Sequence, residues 1–260
     1  MSTDQDIKVM GQKGFLAIVS TPIGNLADMT FRALEILKTA QVVAAEDTRR
    51  ARILLDRFSI SARVISCHSH NEYYRVSQLI NMVKEGHKVC FLSDAGTPSV
   101  SDPGYLILNE AVKAGVEPLI VPGVSALTFS VVASALPVDK FVFYGFLPVK
   151  SGRRTKSLLE IAAIPYTVFI FEAPHRMDKL LNEINNLIGP DTMLAIIREA
   201  TKIHEETIRG TVTEIIKNNK DRIWRGECTV AIWNKNNKQQ KYCLEDDEHK
   251  DQAQNPDIEK

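Results

Sequence analysis

The chain has 260 residues, enough for one large or two smaller folded cores, and its apolar (44%) and charged (25%) fractions are ordinary for a soluble globular protein. Its 32 basic and 32 acidic residues balance overall. Residues 244–260, however, hold seven acids and two lysines, so the remainder of the chain carries 30 basic and 25 acidic residues. This excess of positive charge is compatible with a nucleic-acid partner without requiring one.

Cysteine usage and hydropathy restrict the compartment. The four cysteines are scattered and include no C-x-x-C pair, which predicts buried thiols in a reducing environment rather than a disulfide framework. The N-terminus has no apolar signal core, and the longest apolar stretch, residues 124–136, is interrupted by serine and threonine and is too short to span a bilayer. We therefore expect a cytoplasmic protein without a membrane partner.

In the first half of the chain, short apolar runs alternate with segments of helical period. The predicted strands are Phe15–Val19, Val42–Ala45, Arg63–Cys67, Lys88–Leu92 and Glu117–Val121. The predicted helices are Thr30–Thr39, Arg49–Phe58, Tyr73–Lys84 and Tyr105–Ala114. Such alternation is typical of βα units that build a mostly parallel sheet.

A buried helix over Val124–Leu136 is predicted to join this half to a second series of elements. The predicted strands there are Phe141–Gly145, Tyr166–Phe171, Met193–Arg198 and Cys228–Trp233, and the predicted helices are Arg154–Ala163, Pro174–Leu187 and Val212–Lys217. We predict an α/β protein of two lobes, 14–122 and 123–234, each a mostly parallel sheet flanked by helices. A flexible N-terminus (1–13) and an acidic, disordered tail (235–260) complete the predicted organisation.

Four predicted strands run into loops that are rich in glycine, proline and polar residues. In an open parallel sheet, ligands bind at the carboxyl ends of the strands. In the third of these loops Gly96 and Gly104 can adopt positive φ, while Pro98 and Pro103 restrict the backbone, so we expect it to contact a small molecule. Ordinary strand-to-helix turns would produce a similar composition in any one loop taken alone. The loops are Ser20–Leu26, Ala44–Arg50, Ser93–Gly104 and Val121–Ala126.

Several common site patterns are missing from the sequence. A strand is nowhere followed by G-x-G-x-x-G, and G-x-x-x-x-G-K-[ST] does not occur, so neither dinucleotide-binding motif nor P-loop is indicated. His68 and His70 could form a metal pair, but no third ligand has suitable spacing, and we expect no metal. No arrangement of Ser/His/Asp or Cys/His supports a covalent mechanism.

Eight segments, in order along the chain, resemble the tetrapyrrole methylase family of class III S-adenosylmethionine-dependent methyltransferases. The resemblance covers residues from about 14 to 233. Within the family the segments are most similar to enzymes that methylate the ribose 2′-hydroxyl of a cytidine in the decoding region of bacterial 16S ribosomal RNA. The segments are Thr21–Thr30, Ala45–Arg49, His68–Glu72, Ser93–Gly104, Gly145–Pro148, Glu172–Arg176, Arg198–Glu206 and Arg225–Glu227.

The resemblance implies a two-lobed tetrapyrrole-methylase-like fold, a homodimer, and S-adenosylmethionine held in the cleft between the lobes. It further implies 16S ribosomal RNA, in the small ribosomal subunit, as the methyl acceptor. The cofactor contacts that it assigns by position are Pro22, Gly24, Asp94, Ala95, Gly96, Thr97, Ser125 and Ala126.

Methyl transfer to a ribose hydroxyl requires alignment of the reactants and is assisted by a general base. The catalytic candidates are Asp47, His68 and His70, and Glu172 is a further possible base. The RNA would require basic side chains for its phosphates. The candidates are Arg49, Arg50 and Arg52 in one patch, and Arg153 and Arg154 with Lys150 and Lys156 in another.

Three other functions remain open at this stage. A tetrapyrrole C-methyltransferase and a diphthine synthase-like enzyme would share the cofactor loops, although the basic patches argue against both. A non-catalytic RNA-binding or ribosome-assembly protein would have the basic patches without needing those loops. A solvated helix face could also produce either basic patch.

Overall fold

A computed structural model describes residues 13–234. The predicted acidic tail and all but the last residue of the predicted flexible N-terminus lie outside these residues, as does Cys243. The described chain forms two compact units that divide between Ala126 and Leu127. Cys67, Cys90 and Cys228 are buried free thiols, as predicted. No helix within residues 13–234 has the length and apolar character needed to cross a membrane.

The first unit contains a five-stranded sheet, in the order β3-β2-β4-β1-β5, in which every neighbouring pair is parallel. Its strands are β1 (Phe15–Val19), β2 (Val42–Ala45), β3 (Arg63–Ser66), β4 (Lys88–Leu92) and β5 (Leu119–Val121). Its helices are α1 (Phe31–Thr39), α2 (Thr48–Arg57), α3 (Glu72–Lys84) and α4 (Tyr105–Lys113), and a short 3-10 turn covers Leu26–Asp28.

The first sheet is buried on both faces, which explains its almost continuous apolar strands. Alternate side chains of β1 point to opposite faces: Ala17 and Val19 pack with α1 and α2, whereas Leu16 and Ile18 pack with α3 and α4. The Thr30 side chain caps α1 by accepting from the N–H of Ala33.

The second unit contains a mixed sheet in the order β6-β7-β10-β8-β9. Only β6 and β7 pair in parallel, and the other three pairs are antiparallel. Its strands are β6 (Phe141–Phe146), β7 (Thr167–Glu172), β8 (Met193–Arg198), β9 (Glu206–Thr211) and β10 (Cys228–Trp233). Its helices are α5 (Ala126–Ser134), α6 (Ser151–Ala163), α7 (Met177–Leu187) and α8 (Val212–Asn218), with a 3-10 turn over Pro174–Arg176.

The second sheet is less parallel than the sequence predicts, because β10 runs antiparallel to both β7 and β8, and because an additional strand that the sequence pattern does not predict, β9, pairs antiparallel with β8. β8 and β9 are joined by seven residues, 199–205, and this connection returns the chain beside β8 in the antiparallel direction. One face of this sheet packs on α6, α7 and α8, and the other packs on α5 through Phe169, Ala195 and Ile197.

Candidate active site at the carboxyl edge of the first sheet

The five parallel strands end in register. Val19 of β1 pairs with Leu92 and Val121, Leu92 pairs with Ala45, and Ala45 pairs with Ser66. The residue after each strand therefore lies in one row, with neighbouring strands about 4.8 Å apart. In the order of the sheet this row is Cys67, Glu46, Ser93, Ser20 and Pro122. The loops predicted to bind a ligand are thus brought to one edge, as the parallel arrangement requires.

Backbone hydrogen bonds join the two central loops. Thr21 and Gly96 form an antiparallel bridge in which each N–H donates to the other's carbonyl, at 2.9 and 3.0 Å. The Thr21 hydroxyl also donates to the carbonyl of Ser93, at 3.3 Å. Because both polar backbone groups of Gly96 are used within the protein, this predicted cofactor residue can contribute shape and backbone position but not a free amide.

Hydroxyl groups extend the connection to the loop after β5. The Ser20 hydroxyl donates to Thr97 Oγ1 at 3.1 Å, and Thr97 Oγ1 donates to the carbonyl of Val124 at 3.3 Å. The N–H of Ser20 donates to the carbonyl of Val121. The loops after β1, β4 and β5 therefore form one hydrogen-bonded framework, and Thr97 is at its centre.

Two glycines permit this close approach. Gly96 has φ +77°, and a Cβ there would lie 3.3 Å from Ile23 Cγ2. A Cβ on Gly123 would lie only 2.8 Å from the Cβ of Ser20, so a larger residue would push the two loops apart.

Ser99 also adopts a positive φ, and its buried hydroxyl has no hydrogen-bond partner among residues 13–234. Backbone strain and an unsatisfied polar atom of this kind cluster at functional sites.

Asp94 connects the loop after β4 to the loop after β2. Its Oδ1 accepts from the N–H of Asp47 at 2.9 Å, and its Oδ2 lies 3.6 Å from Arg50 Nη1. About a quarter of the side chain remains exposed. A carboxylate has about four acceptor positions, so Asp94 retains capacity for hydroxyl donors of a ligand while it positions the neighbouring loop.

The remaining predicted cofactor residues lie at the same edge. Pro22 is buried and Gly24 is exposed in the loop after β1. Ala95 is half-buried, and its carbonyl accepts from the Ser93 hydroxyl at 3.3 Å. Ser125 and Ala126 are half-buried at the start of α5.

Glu46 is a functional candidate that the sequence analysis did not single out. Burial, and then the nearby Asp94 carboxylate, raise the pKa of Glu46, while His68 and Arg50 oppose the shift. A carboxyl group with a raised pKa at the ligand edge of a sheet is a candidate for proton transfer. The signal in the sequence is its position directly after β2, at the carboxyl end of a parallel strand.

Asp47 is a weaker base than the sequence suggested. Its carboxylate caps α2 by accepting from the N–H of Arg49 at 2.9 Å and also binds the Arg49 guanidinium through both oxygens. The side-chain hydrogen bond from Arg49 is the largest cause of a pKa lowered to about 2. At neutral pH such a carboxylate has little tendency to accept a proton.

The two predicted histidines lie in a tight turn between β3 and α3. The N–H of His68 donates to Asn71 Oδ1 at 2.9 Å, and the N–H of His70 donates to His68 Nδ1 at 3.3 Å. His68 is half-buried and lies close enough to Glu46 to affect its pKa, whereas His70 is exposed. No group of three or more His, Cys, Asp or Glu side chains in the described chain is arranged to hold a metal.

The predicted RNA contacts differ in accessibility. Arg49, Arg50 and Arg52 are exposed at the start of α2, as a phosphate-binding role requires. Arg153 is also exposed, at the start of α6 in the second unit. The expectation that Arg154 contacts RNA does not fit its position, because its side chain is only 1% exposed.

Arg154 belongs instead to a buried ionic network. Its Nη2 donates to Glu172 Oε2 at 2.6 Å and its Nε donates to Glu183 Oε2 at 2.6 Å. Glu172 has no exposed side-chain surface and also pairs with Arg176 at 2.7 Å. Since it is enclosed by two guanidinium groups, Glu172 is unsuited to act as a general base.

Comparison with known proteins identifies the family. Residues 16–216 match the family model of the tetrapyrrole (corrin/porphyrin) methylases. The chain belongs to this family. The resemblance inferred from the eight sequence segments is therefore confirmed.

Several curated relatives of the chain have the name ribosomal RNA small subunit methyltransferase I. The relative from Halalkalibacterium halodurans is 39% identical over 230 residues, which cover 88% of this chain and 77% of the relative. The relative from Mesorhizobium japonicum is 46% identical over 197 residues, which cover 76% of this chain and 67% of the relative.

Solved structures confirm the fold class. Cobalt precorrin-4 methyltransferase CbiF aligns with a TM-score of 0.63 and 20% identity over 85% of this chain and 95% of its own. Uroporphyrin-III C-methyltransferase from Thermus thermophilus, complexed with S-adenyl homocysteine, aligns with a TM-score of 0.59 and 18% identity over 84% of this chain and 97% of its own. At these identities the likeness concerns the fold and not the substrate.

Proposed function

We propose that this protein is an S-adenosylmethionine-dependent methyltransferase that modifies 16S ribosomal RNA in the small ribosomal subunit. We assign the 2′-hydroxyl of a cytidine ribose in the decoding region as the acceptor. The relatives that bear the name ribosomal RNA small subunit methyltransferase I, at 39% and 46% identity, support the RNA substrate. The observation that carries the enzyme assignment is the row of strand ends, which gathers the cofactor motifs and the candidate base at one edge.

The residues at this edge fit a nucleoside cofactor. When bound, S-adenosylmethionine supplies an electrophilic methyl group on a sulfonium sulfur. The framework of Thr21, Gly96 and Thr97 provides a fixed wall, and Gly123 keeps that wall close-packed. Asp94 can accept hydrogen bonds from hydroxyl groups of the cofactor. The further contacts in this proposal are Pro22, Gly24, Ala95, Ser125 and Ala126.

For the proton of the acceptor hydroxyl, Glu46 suits the role better than Asp47. The pKa of Glu46 is raised, mainly by burial, so it holds a proton at a higher pH than an ordinary carboxyl group. His68 is close enough to Glu46 to lower its pKa and is a second candidate to accept the proton. His70 is exposed and remains a second possible partner of the substrate. A positioned base typically contributes about 10²–10⁴-fold to the rate.

The exposed basic residues would supply the phosphate contacts. Arg49, Arg50 and Arg52 lie beside the proposed base, and Arg153 with Lys156 forms an exposed pair on α6. Each phosphate that such residues neutralise releases counterions, so binding should weaken steeply as salt increases.

The decisive experiment is transfer of a labelled methyl group from S-adenosylmethionine to three acceptors: assembled small subunits, naked 16S ribosomal RNA and a tetrapyrrole. We expect label in the RNA and, after complete digestion, in 2′-O-methylcytidine. Label in the tetrapyrrole or on a nucleobase would contradict the proposed chemistry. Calorimetry with S-adenosylmethionine is the parallel test, because failure to bind it would leave a non-catalytic RNA-binding protein.

We also propose that the protein acts in the cytoplasm as a homodimer, in keeping with the family resemblance. Sedimentation equilibrium at micromolar concentration should give twice the mass of 29.1 kDa. A monomer at that concentration would contradict the dimer without affecting the proposed reaction.

A further inference from the structure

Two adjacent tyrosines are exposed at the carboxyl edge of the first sheet. Tyr73 and Tyr74 are the second and third residues of α3, and they are 80% and 72% exposed. The buried face of this helix is formed by other residues: Val76, Leu79, Ile80 and Val83. Because α3 begins soon after the end of β3, which lies beside β2, both rings lie at the edge that carries the candidate site.

The helix that carries the tyrosines starts from a turn that is fixed by hydrogen bonds. Asn71 Oδ1 accepts from the N–H of His68, and the N–H of Asn71 donates to the carbonyl of His68, both at 2.9 Å. The Asn71 side-chain amide also donates to the carbonyl of Ser66 at 3.3 Å. A ring on such a frame has only two side-chain torsions to lose on binding, so its contacts cost little conformational entropy.

Cationic groups accompany the rings. The Arg75 guanidinium carbon lies 5.7 Å from the centre of the Tyr74 ring. The neighbouring helix α2 starts at the same edge, where Arg50 and Arg52 are exposed. The strand ends from which the two helices are reached are hydrogen-bonded to each other, since the N–H of Cys67 donates to the carbonyl of Ala45 at 2.8 Å.

Exposed aromatic rings beside arginines have the chemistry that binds single-stranded nucleic acid. Guanidinium groups contact phosphates, and aromatic faces stack on unpaired bases. We propose that Tyr73 and Tyr74 stack on unpaired bases of the RNA bound at this edge and so help to select single-stranded substrate. This inference rests on the proposed function, and it adds two base-contacting residues to a surface for which the sequence predicts only phosphate contacts.

Alanine and phenylalanine variants separate the contribution of the aromatic ring from that of the tyrosine hydroxyl group. The probe is a single-stranded 16-nucleotide RNA of mixed sequence, with a second copy that contains abasic sites. Replacing both tyrosines by alanine should weaken binding of the normal RNA by about fivefold or more for each lost stack, whereas Tyr73→Phe with Tyr74→Phe should stay within about twofold. The abasic RNA should bind the wild type and the alanine variant equally.

The salt dependence provides an independent measure. The slope of log K against log salt should be unchanged in the alanine variant, because no phosphate contact is lost, but shallower in Arg50→Ala with Arg52→Ala. Val112→Ala is the control for removal of an exposed apolar side chain, because Val112 lies near the far end of α4. Circular dichroism should confirm that every variant is folded.

Two results would overturn the inference: normal affinity of the alanine variant for the intact RNA, or an equal loss of affinity for the abasic RNA. A loss of self-association without loss of RNA affinity would identify the tyrosines as a protein interface instead. Methyl transfer by the wild type is measured alongside. If the wild type methylates ribosomal RNA and the alanine variant behaves identically, only this inference fails. If the wild type transfers no methyl group, the proposed function fails whatever the tyrosines do.

Discussion

The buried network around Arg154 leads to a prediction that separates a structural role from RNA binding. In Arg154→Met the long apolar side chain retains much of the packing, while the charge and its hydrogen bonds to Glu172 and Glu183 are lost. Glu172 has no exposed side-chain surface, so solvent cannot replace the missing donor. Glu183 is 18% exposed and can recover some hydration. The cost of the substitution therefore arises mainly at Glu172.

The size of the loss in unfolding free energy depends on the hydrogen-bond donors that remain around the Glu172 carboxylate. Removing one partner of a buried ion pair typically costs 3–5 kcal/mol because the other charge is left uncompensated. Glu172 retains Arg176 at 2.7 Å and the N–H of Ala173 at 2.9 Å, so we expect the lower end, about 3 kcal/mol. At roughly 4 °C per kcal/mol for a folded unit of this size, the second unit should melt roughly 12 °C lower.

Tryptophan fluorescence is the suitable assay, because both tryptophans, Trp224 and Trp233, lie in the second unit. Arg153→Met is the matched control: its exposed side chain should leave the free energy of unfolding within about 0.5 kcal/mol but should flatten the salt dependence of RNA binding. Arg154→Met should lower the free energy of unfolding but leave the salt dependence of RNA binding unchanged. Normal stability together with a flattened salt dependence in Arg154→Met would refute the structural role and restore Arg154 as a phosphate contact.

Three shorter predictions concern the first unit. Gly123→Ala should weaken S-adenosylmethionine binding in a calorimetric titration, because the new methyl group would lie 2.8 Å from the Cβ of Ser20. Gly152→Ala is the control and should bind the cofactor normally, because its methyl group would meet nothing within 4 Å. The Asp47 carboxyl should titrate near pH 2 when followed by NMR. Its stabilising interaction with Arg49 should be fully present above the unfolded pKa of about 3.9 and should be lost as the pH falls through 2. Arg49→Ala should raise the titration midpoint of Asp47, and an unchanged midpoint would contradict the assignment. Glu46→Gln should lower the rate of methyl transfer by about 10²–10⁴-fold while the cofactor still binds, and an unchanged rate would exclude Glu46 as the base.

Most of the first unit could be predicted from its sequence, because most of its strands are apolar runs that end in a polar or glycine-rich loop. Phe15–Val19, Val42–Ala45 and Lys88–Leu92 have the bounds that their patterns predict. The sequence did not predict β9, Glu206–Thr211. Its residues Glu206, Thr207 and Arg209 are polar, and its burial is only partial, so it lacks the apolar alternation of an ordinary strand.

The sequence was sufficient to predict which loops form the candidate site, but not the chemical role of each residue in them. Motifs placed Asp94, Gly96 and Thr97 at one strand end, but sequence spacing could not indicate that the backbone of Gly96 would be used by Thr21. Nor could it separate Glu46 from Asp47. These adjacent carboxylates have opposite pKa shifts, because burial and the nearby Asp94 carboxylate raise the pKa of Glu46, whereas hydrogen bonds from Arg49 lower the pKa of Asp47. Such differences depend on contacts between distant segments of the chain.

The different roles of Arg153 and Arg154, in contrast, could have been inferred from helical periodicity. Successive residues of an α-helix are rotated by about 100°, so two adjacent arginines cannot both share one narrow face. Arg154 is three, four and seven residues before Ser157, Leu158 and Ile161, which form the buried face of α6. A charged residue in phase with an apolar stripe requires an opposite charge within the core, since an unpaired buried ion would be too costly. The correct expectation from the sequence was therefore a buried acidic partner for Arg154, which leaves Arg153 and Lys156 as the exposed basic residues of α6.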